Sequence, residues 1–427
     1  MDDVDRLSNL PVELLEEILM KLSLKEAART GVLSKDWKNK WLSHPHLQFN
    51  DQFAVSSCPN GPAQASVRNH LLCSINRVVF LDTAPRHELI GLPLSDLQGV
   101  SDFDRCIRHL SKRSVNAITL EIEKGDRYEL HSSLYSFHDM GFLKLSNCAL
   151  RAPLAFKGFR GLTTLHLEQV TMDQHTFDRV ICNSPLLQEL KLLDFGGFSV
   201  AKIRAPNLRS ATVRGNFHHI AFEQTFNLTS VSVCLHESTD QNPIVAGSTC
   251  NLIMFFADLP SLHTLELKGQ SRKYLAAGVI PKRLPTLCLS LNYLFITIDF
   301  NNVLERRAVF CLLRSSPNLR HLVIWLVYEG SNISETEADG TRPEEEEYDG
   351  IALTQLRSVS IYYISHVRCQ MDFIKFVLGH CPSLEKLSLQ ARLDAGPSLP
   401  IDLLRFPRAS SLARIRYDSL SLRLAQN

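Results

Sequence analysis

Few residues in this chain of 427 have the types and spacing that catalysis or metal binding requires. The closest histidine group is His218, His219 and His236. It has no cysteine or carboxylate at ligand spacing beside it, so we interpret it as surface or structural. The eleven cysteines include no C-x-x-C pair, which argues against a zinc ribbon or a redox motif. Neither a phosphate-binding loop nor a G-x-S-x-G or H-E-x-x-H sequence occurs. The sequence therefore predicts no catalytic residue, no metal ligand and no cofactor.

The composition is that of a globular protein and excludes several classes of partner. Apolar residues make up 44% and charged residues 21%, and a formal net charge of +1 provides no basic field for nucleic acid. No run of about 18 apolar residues is present, so we expect no membrane-spanning helix. The N-terminal residues lack the apolar core of a signal peptide. We therefore expect a protein of the cytoplasm, the nucleus or both, with no nucleic-acid and no membrane partner.

The elements that would position functional groups begin with a short helical segment near the N-terminus. Pro11 has the fixed φ and the missing N–H that suit the first turn of a helix. Apolar residues then recur at the spacing of one helical face, namely Leu14, Leu15, Ile18, Leu19 and Leu22. Ser23 and Glu26 form an S-x-x-E capping box, which predicts the start of a second helix.

A third short helix is expected after Ser34, with Trp37 and Trp41 on one face. Three short helices within about 40 residues cannot build a sufficient core alone. Two interpretations follow. The apolar side chains pack on the rest of the chain, or they dock on another protein with Trp37 as a buried aromatic anchor.

The order and spacing of these residues resemble an F-box. The matching sequence is Leu10-Pro11-x-Glu13-Leu14-Leu15-x-x-Ile18-Leu19, followed by Val32-Leu33-Ser34-Lys35-x-Trp37. The resemblance implies an F-box over residues 5–50 that binds a Skp-type linker protein and, through it, a cullin-RING ubiquitin ligase. It also implies the residues that face the linker, which are Leu10, Pro11, Leu15, Ile18, Leu22, Val32, Leu33 and Trp37. One position departs from the common pattern, because Ser23 stands where many F-boxes have proline.

The rest of the chain repeats the pattern apolar-x-x-apolar-x-apolar. The twelve copies are Ile75/Val78/Phe80, Val115/Ile118/Leu120, Met140/Leu143/Leu145, Leu162/Leu165/Leu167, Leu187/Leu190/Leu192, Leu208/Ala211/Val213, Leu228/Val231/Val233, Leu262/Leu265/Leu267, Leu291/Leu294/Ile296, Leu319/Leu322/Ile324, Leu356/Val359/Ile361 and Leu384/Leu387/Leu389. The shorter spacings between copies fall within the 20–29 residues of leucine-rich repeats. Each copy predicts a short parallel strand, and helical returns are expected at 103–110, 303–313 and 371–378. The predicted fold is α/β: an N-terminal three-helix F-box, then an irregular leucine-rich-repeat solenoid with one parallel sheet over residues 70–427.

As a whole, the chain resembles the plant F-box/leucine-rich-repeat proteins. Residues from approximately 350 to 392 are also similar to the FBD-type segment that ends many of them, on Leu356-x-x-Val359-x-Ile361, Phe373 to Leu378, and Cys381-Pro382-Ser383-Leu384-Glu385-Lys386-Leu387. The resemblance implies a non-catalytic substrate-recognition adaptor of a Skp–cullin–F-box ubiquitin ligase. In that role the F-box binds the linker and the repeats bind a protein substrate.

Residues between the leucines of each copy face the open side of the predicted sheet. In three successive late copies these positions hold aromatic residues, namely Tyr293, Phe295, Trp325 and Tyr362. A contiguous aromatic patch on an exposed face is a candidate substrate-binding site. The alternative is that the chain's own insertions or its C-terminal cap cover these residues.

An acidic segment lies between two of these late copies. From Ser331 to Gly350, eight acidic residues stand against the single Arg342. Such a run is most often a solvated loop. The alternative is an electrostatic attraction for a basic segment of a substrate.

Two other functions are compatible with the same sequence. A non-catalytic scaffold or inhibitor would bind a partner through the repeats without promoting its ubiquitination. A catalytic ligase would need a thioester-forming cysteine, and nothing singles one out among the eleven. The lifetime of the bound target separates adaptor from scaffold, because loss of an adaptor lengthens it and loss of a scaffold does not.

Overall fold

The chain divides into two compact units, Met1–Phe198 and Ser199–Asn427. The structure is a computed structural model. It describes residues 10–33, 37, 40, 46–48, 87–90, 101–112, 114–122, 126–137, 139–236, 251–327, 345–365, 367–392 and 399–419.

The first unit begins with a helical head. Pro11, at φ −52° and ψ 147°, immediately precedes the first helix. The elements are helix α1 (Val12–Met20), helix α2 (Leu24–Arg29) and a 3-10 turn (Thr30–Val32). The third helix expected from Ser34 to Trp41 lies outside the described residues, apart from Trp37 and Lys40.

The predicted capping box starts α2. The N–H of Glu26 donates to Oγ of Ser23 at 3.4 Å, and the N–H of Ser23 donates to Oε2 of Glu26 at 2.9 Å. These hydrogen bonds satisfy backbone donors that the first turn of a helix leaves without intrahelical partners. The serine thus caps the helix at the position where many F-boxes have proline.

A parallel sheet follows the head within the first unit. The strands in chain order are β1 (His46–Gln48), β2 (His87–Ile90), β3 (Val115–Glu121), β4 (Tyr128–Glu129), β5 (Phe142–Ser146), β6 (Cys148–Ala149), β7 (Thr164–Glu168) and β8 (Glu189–Phe195). The sheet order is β1-β2-β3-β5-β7-β8 with parallel pairing throughout. A separate parallel pair joins β4 and β6.

The second unit has its own run of parallel strands. They are β9 (Val200–Arg204), β10 (Ser210–Gly215), β11 (His219–Glu223), β12 (Ser230–Leu235), β13 (Thr264–Gly269), β14 (Tyr293–Ile298), β15 (His321–Leu326), β16 (Ser358–Ile364), β17 (Lys386–Ala391) and β18 (Arg414–Ser419). Their order is β10-β12-β13-β14-β15-β16-β17-β18. Strands β9 and β11 form a second, two-stranded parallel pair.

Helices return the chain between several strands. They are α3 (Ser101–Leu110), α4 (Gln174–Cys182), α5 (Asn251–Phe256), α6 (Ser271–Leu275), α7 (Val303–Ser315), α8 (Glu345–Tyr348), α9 (Arg368–His380) and α10 (Leu399–Arg405). Helices α3, α7 and α9 confirm the three helical returns expected from the sequence.

The apolar positions of the repeat explain the strands. Leu165 and Leu167 are completely buried, whereas Thr164 and His166 between and beside them keep part of their surface exposed. Parallel pairing places like positions side by side, as in Leu294 beside Leu322. Burying a leucine contributes roughly 1.5–3 kcal/mol, so each repeat is stable only while its neighbours cover it. The predicted α/β fold, with a helical head followed by parallel repeat strands, is confirmed.

Seven described strands have no copy in the sequence pattern, namely β1, β2 and β18 of the main runs and β4, β6, β9 and β11 of the two small pairs. The copy expected at Ile75/Val78/Phe80 lies outside the described residues, and the strand that pairs with β3 is β2. Strands β1 and β18 were also not expected. Strand β18 follows the pattern as Leu412-x-x-Ile415-x-Tyr417, but Leu412 is 70% exposed and the last position is tyrosine. The domain boundaries at 5–50, 70–427 and approximately 350–392 stay predictions.

The end of the acidic segment is packed against α7, contrary to a wholly solvated loop. The guanidinium of Arg314 donates to the backbone oxygen of Asp349 at 2.7 Å, to that of Lys282 at 3.0 Å and to that of Glu347. These bonds fix the chain where it re-enters the repeat. The part of the segment at 331–344 lies outside the described residues.

Candidate functional site

The head has a small core of its own. Leu15, Leu19, Ala27 and Trp37 form one buried cluster, and Leu22 packs partly against it. Trp37 is only 2% exposed, and Nζ of the neighbouring Lys40 lies 5.3 Å from the centre of its ring. Trp37 is therefore an internal packing residue of the head in this structure.

The same head also carries exposed apolar side chains on α1 and at the 3-10 turn. Leu14 is 45% exposed and Ile18, one turn later on α1, is 39% exposed. Val32 and Leu33, at the end of the 3-10 turn, are 87% and 59% exposed. Several exposed apolar side chains on one small domain mark a candidate protein-binding surface. We call Leu14, Ile18, Val32 and Leu33 the head patch.

The single apolar face expected on α1 is thus two adjacent stripes. Leu15 and Leu19 point into the core, and Leu14 and Ile18 belong to the head patch, because consecutive residues on a helix lie 100° apart. Of the residues expected to face a linker, Pro11, Ile18, Val32 and Leu33 are exposed, Leu10 and Leu22 are partly buried, and Leu15 and Trp37 are buried. Their contact with a linker stays a prediction.

The four aromatic residues expected on the open face of the repeats lie on neighbouring strands. Tyr293 and Phe295 are on β14, Trp325 on β15 and Tyr362 on β16, and the register pairs Trp325 directly with Tyr362. The ring centres are 6.4 Å apart for Phe295 and Trp325 and 5.7 Å apart for Trp325 and Tyr362. Trp325 is 38% exposed, so the described residues leave part of its ring uncovered. Their role in substrate binding stays a prediction.

A fifth ring joins this group through a β-bulge. The register between β16 and β17 shifts between Tyr362 and Ile364, and Tyr363 between them has φ 63°, in the left-handed region. That conformation brings the Tyr363 ring 4.8 Å from the ring of Trp325. A bulky residue there is strained, and such strain and bulges concentrate at functional sites. We call Phe295, Trp325, Tyr362 and Tyr363 the aromatic cluster.

Charges next to the aromatic cluster are already paired. Nζ of Lys268 lies 2.7 Å from Oε2 of Glu266 and 5.3 Å from the centre of the Phe295 ring. Oγ of Ser232 donates to the same carboxylate at 2.9 Å. Burial, and then the Glu266 charge, raise the pKa of the Tyr293 phenol, which keeps it a neutral hydrogen-bond donor.

Sequence reasoning missed two parts of these surfaces. Leu14 belongs to the apolar face expected on α1 but was absent from the residues that the F-box resemblance implies for the linker contact. Tyr363 was overlooked because strict alternation places the residue after Tyr362 inside. The signal was present as the pair Tyr362-Tyr363, which interrupts the alternation of apolar and polar residues in β16.

Four of the described cysteines are poor nucleophiles. Burial raises the pKa of the Cys148 and Cys381 thiols to about 12 and that of Cys288 and Cys369 to about 11. Since the thiolate is the reactive form, these side chains stay protonated near neutral pH.

The described residues also show no metal centre and no membrane span. In them, no group of three or more histidine, cysteine or acidic side chains is arranged to hold a metal ion. Within the same ranges, each helix is too short or too polar to cross a bilayer.

Comparisons with known proteins match both the head and the repeats. The F-box domain model matches residues 7–49, and a model described as FBD-associated F-box protein At5g56370, LRR repeats, matches residues 103–324. The F-box/FBD/LRR-repeat protein At1g13570 of Arabidopsis thaliana is 31% identical over 97% of this chain and 98% of its own length. The putative F-box/LRR-repeat protein At3g58920 of the same plant is 25% identical over 97% of this chain and 99% of its own length.

Among solved structures, a crystal structure of an internalin of Listeria monocytogenes covers 87% of this chain and 93% of its own, at a TM-score of 0.32 and 13% identity. That similarity is too low to bear on function. The match to At1g13570 along nearly the whole of both chains, together with the two family models, shows that this chain belongs to the F-box/FBD/LRR-repeat proteins.

Proposed function

We propose that this protein is the substrate-recognition adaptor of a Skp–cullin–F-box ubiquitin ligase. The head binds a Skp-type linker, which connects it to the cullin-RING complex, and the repeats bind a protein substrate. The observation that carries the proposal is the head patch, an apolar surface on a domain that the F-box model matches. The protein would then work in the cytoplasm, the nucleus or both, where that machinery acts.

Catalysis is assigned to other subunits. An adaptor accelerates ubiquitin transfer by holding a substrate lysine near a ubiquitin-charged enzyme, which raises the effective concentration of the reactants. The raised pKa values of four buried cysteines support a polypeptide that forms no ubiquitin thioester of its own.

The linker contact is tested by co-purification of the full chain with a Skp-type linker. The variant Ile18→Asp/Val32→Asp places charges on the head patch without entering the head core. Hot-spot losses of about 2 kcal/mol or more predict at least roughly thirtyfold weaker binding. Leu154→Asp is the matched control, because Leu154 is an exposed leucine of the first unit, at 81% exposure, outside the head. Unchanged linker binding in the double variant would contradict the proposal.

The alternative is a scaffold or inhibitor that binds a partner without promoting its ubiquitination. A pulse-chase measurement distinguishes the two functions by comparing protein half-lives in cells that express wild type or Ile18→Asp/Val32→Asp. If the protein is an adaptor, the proteins that its repeats bind have longer half-lives in cells with the variant. If it is a scaffold, their half-lives are the same in both.

A further inference from the structure

The open face of the second unit becomes polar and charged on the strands that follow the aromatic cluster. Strand β17 follows β16, and strand β18 follows β17. The register places Ser358 beside Lys386 and Lys386 beside Arg414, and in the next row Ser388 beside Arg416. In the row of Trp325 and Tyr362 the register continues to Gln390 and Asp418. The basic residues therefore lie in the two rows beside that one.

These basic side chains are available for a ligand. Within the described residues, neither Lys386 nor Arg414 has an acidic partner, and both are exposed. Arg416 pairs with Asp418 at 3.0 Å, but its side chain is still 70% exposed. We call Lys386, Arg414 and Arg416 the basic margin. Counting Asp418, this part of the open face carries a net positive charge.

The basic margin lines a concave surface. A cavity of about 710 Å³ is bounded by all three of its residues together with Leu412 and Glu385. Glu385 faces Arg357 at 3.8 Å, so its charge is partly compensated. A carboxylate that entered this cavity would meet more than one cation.

The aromatic cluster is unsuited to a cationic ligand. Nζ of Lys268 already lies over the Phe295 ring, so a second cation there would meet repulsion. The exposed rings of Trp325 and Tyr362 are suited instead to an apolar or aromatic side chain, because its binding removes their ring surface from water.

We propose, on the basis of the adaptor function above, that the substrate segment read by this face is an extended acidic peptide carrying one aromatic or large aliphatic residue. That residue packs on the aromatic cluster, and an aspartate or glutamate binds the basic margin. The register places Arg416 two residues, and Lys386 and Arg414 four residues, before the row of Trp325 and Tyr362. With strands about 4.8 Å apart and a rise of about 3.3 Å per residue along them, the two contacts are separated by roughly 12–20 Å. An extended chain covers this distance in about four to six residues.

A displayed library of short degenerate peptides, selected on the immobilised full chain, tests this spacing. The expected result is enrichment of aspartate or glutamate about four to six positions from an aromatic or aliphatic residue. Enrichment of lysine or arginine, enrichment without a charge preference, or no enrichment at all overturns the proposal.

Fluorescence anisotropy of an enriched peptide tests the two contact surfaces. Both Lys386→Glu/Arg414→Glu and Trp325→Ala are expected to weaken binding at least tenfold. The matched control Lys375→Glu, an exposed lysine on α9, is expected to leave binding within twofold of wild type. Equal binding by wild type and the charge-reversal variant overturns the proposal. A single-stranded oligonucleotide that displaces the peptide and binds more tightly also overturns the proposal, because the open face would then recognise nucleic acid.

Linker co-purification with the same variants distinguishes this inference from the adaptor function. The substitutions on the open face are expected to leave linker binding unchanged. Failure of wild type to bind the linker contradicts the adaptor function whatever the peptide selection shows. If wild type binds the linker but selects peptides without a preference for acidic residues, only the proposed acidic character of the substrate is contradicted.

Discussion

The guanidinium of Arg272 lies 3.2 Å from the carboxylate of Glu305, and the two side chains are only 3% and 1% exposed. Arg272 is on α6, which follows β13, and Glu305 is on α7, which follows β14. The ion pair therefore joins the helical returns of successive repeats, whose contacts with nearest neighbours stabilise a solenoid.

We predict that Glu305→Ala lowers the free energy of unfolding of the full chain by about 3–5 kcal/mol, because it leaves a buried arginine without its charge partner. The variant Arg272→Met/Glu305→Leu is expected to lose much less, since apolar residues of similar volume can replace a buried pair. Urea denaturation followed by circular dichroism measures both. Additive losses in the double variant would show that the pair is not coupled.

Trp37→Ala is predicted to unfold the head. Removing a buried aromatic ring costs about 3–5 kcal/mol, which exceeds what such a small core can lose. Hydrogen exchange over residues 12–29 measures the effect, and protection is expected to disappear there. Ile18→Ala is the matched control, and we expect it to weaken linker binding with protection retained. Retained protection in Trp37→Ala would contradict the assignment of Trp37 to the core.

Tyr363→Asn is predicted to change stability little and to abolish most peptide binding on the open face. Asparagine tolerates the left-handed backbone at φ 63° better than tyrosine does, and this gain offsets part of the lost ring packing. Thermal unfolding should stay close to wild type while fluorescence anisotropy shows at least a tenfold loss. Wild-type affinity in this variant would remove Tyr363 from the binding surface.

Acidification is predicted to destabilise the fold through His166. Burial, and then the nearby Lys191, lower its pKa below the ordinary 6.5, while Glu189, whose Oε1 lies 3.1 Å from Nε2, opposes the shift. The unfolded chain therefore binds more protons in this range, so stability falls as the pH drops from about 7 through 6.5 and below.

His166→Gln should flatten this dependence, and His175→Gln, a change at an exposed histidine of α4, should not. Melting temperatures between about pH 7.5 and 5.5 measure it. That window lies above the range in which Glu189, whose pKa is also lowered, becomes protonated. Equal slopes in both variants would exclude His166 as the cause.

Cys148, Cys288, Cys369 and Cys381 are predicted to resist iodoacetamide in the native protein. With pKa values of about 11 to 12, their thiolate fraction near neutral pH is at least about a hundredfold below that of an ordinary thiol. Mass spectrometry after timed alkylation measures this, with the urea-unfolded chain as the reference. Rapid labelling of any of the four would reopen the possibility of a thioester-forming ligase.

The strands of the repeat were predictable because buried leucines impose a fixed period. Leu190 and Leu192 are two residues apart, and this spacing predicts that both point to the inner face of β8. In the structure both are buried and lie beside Leu165 and Leu167 of β7. The direction of the head residues was not predictable in the same way. Helical spacing shows that Leu15 and Leu19 share a stripe, but only packing with Ala27 and Trp37 decides that this stripe faces inward.

The candidate substrate surface was predicted in part. Alternation correctly placed Phe295 and Trp325 on the open face of adjacent strands. The contribution of Tyr363 depends on a register shift, which arises from the pairing of β16 with β17 and leaves no period in the sequence. The basic margin was missed because Arg414 and Arg416 belong to a strand whose pattern ends in tyrosine.

The three backbone oxygens held by Arg314 have a consequence for how this chain tolerates change. One side chain fixes the point of return just before β16, so the number of residues between Val327 and Glu345 is decoupled from the register of the strands that follow. We therefore expect β16 and the strands after it to keep their pairing when residues are added to or removed from that interval, which would suit it to grafting a tag or a new recognition sequence.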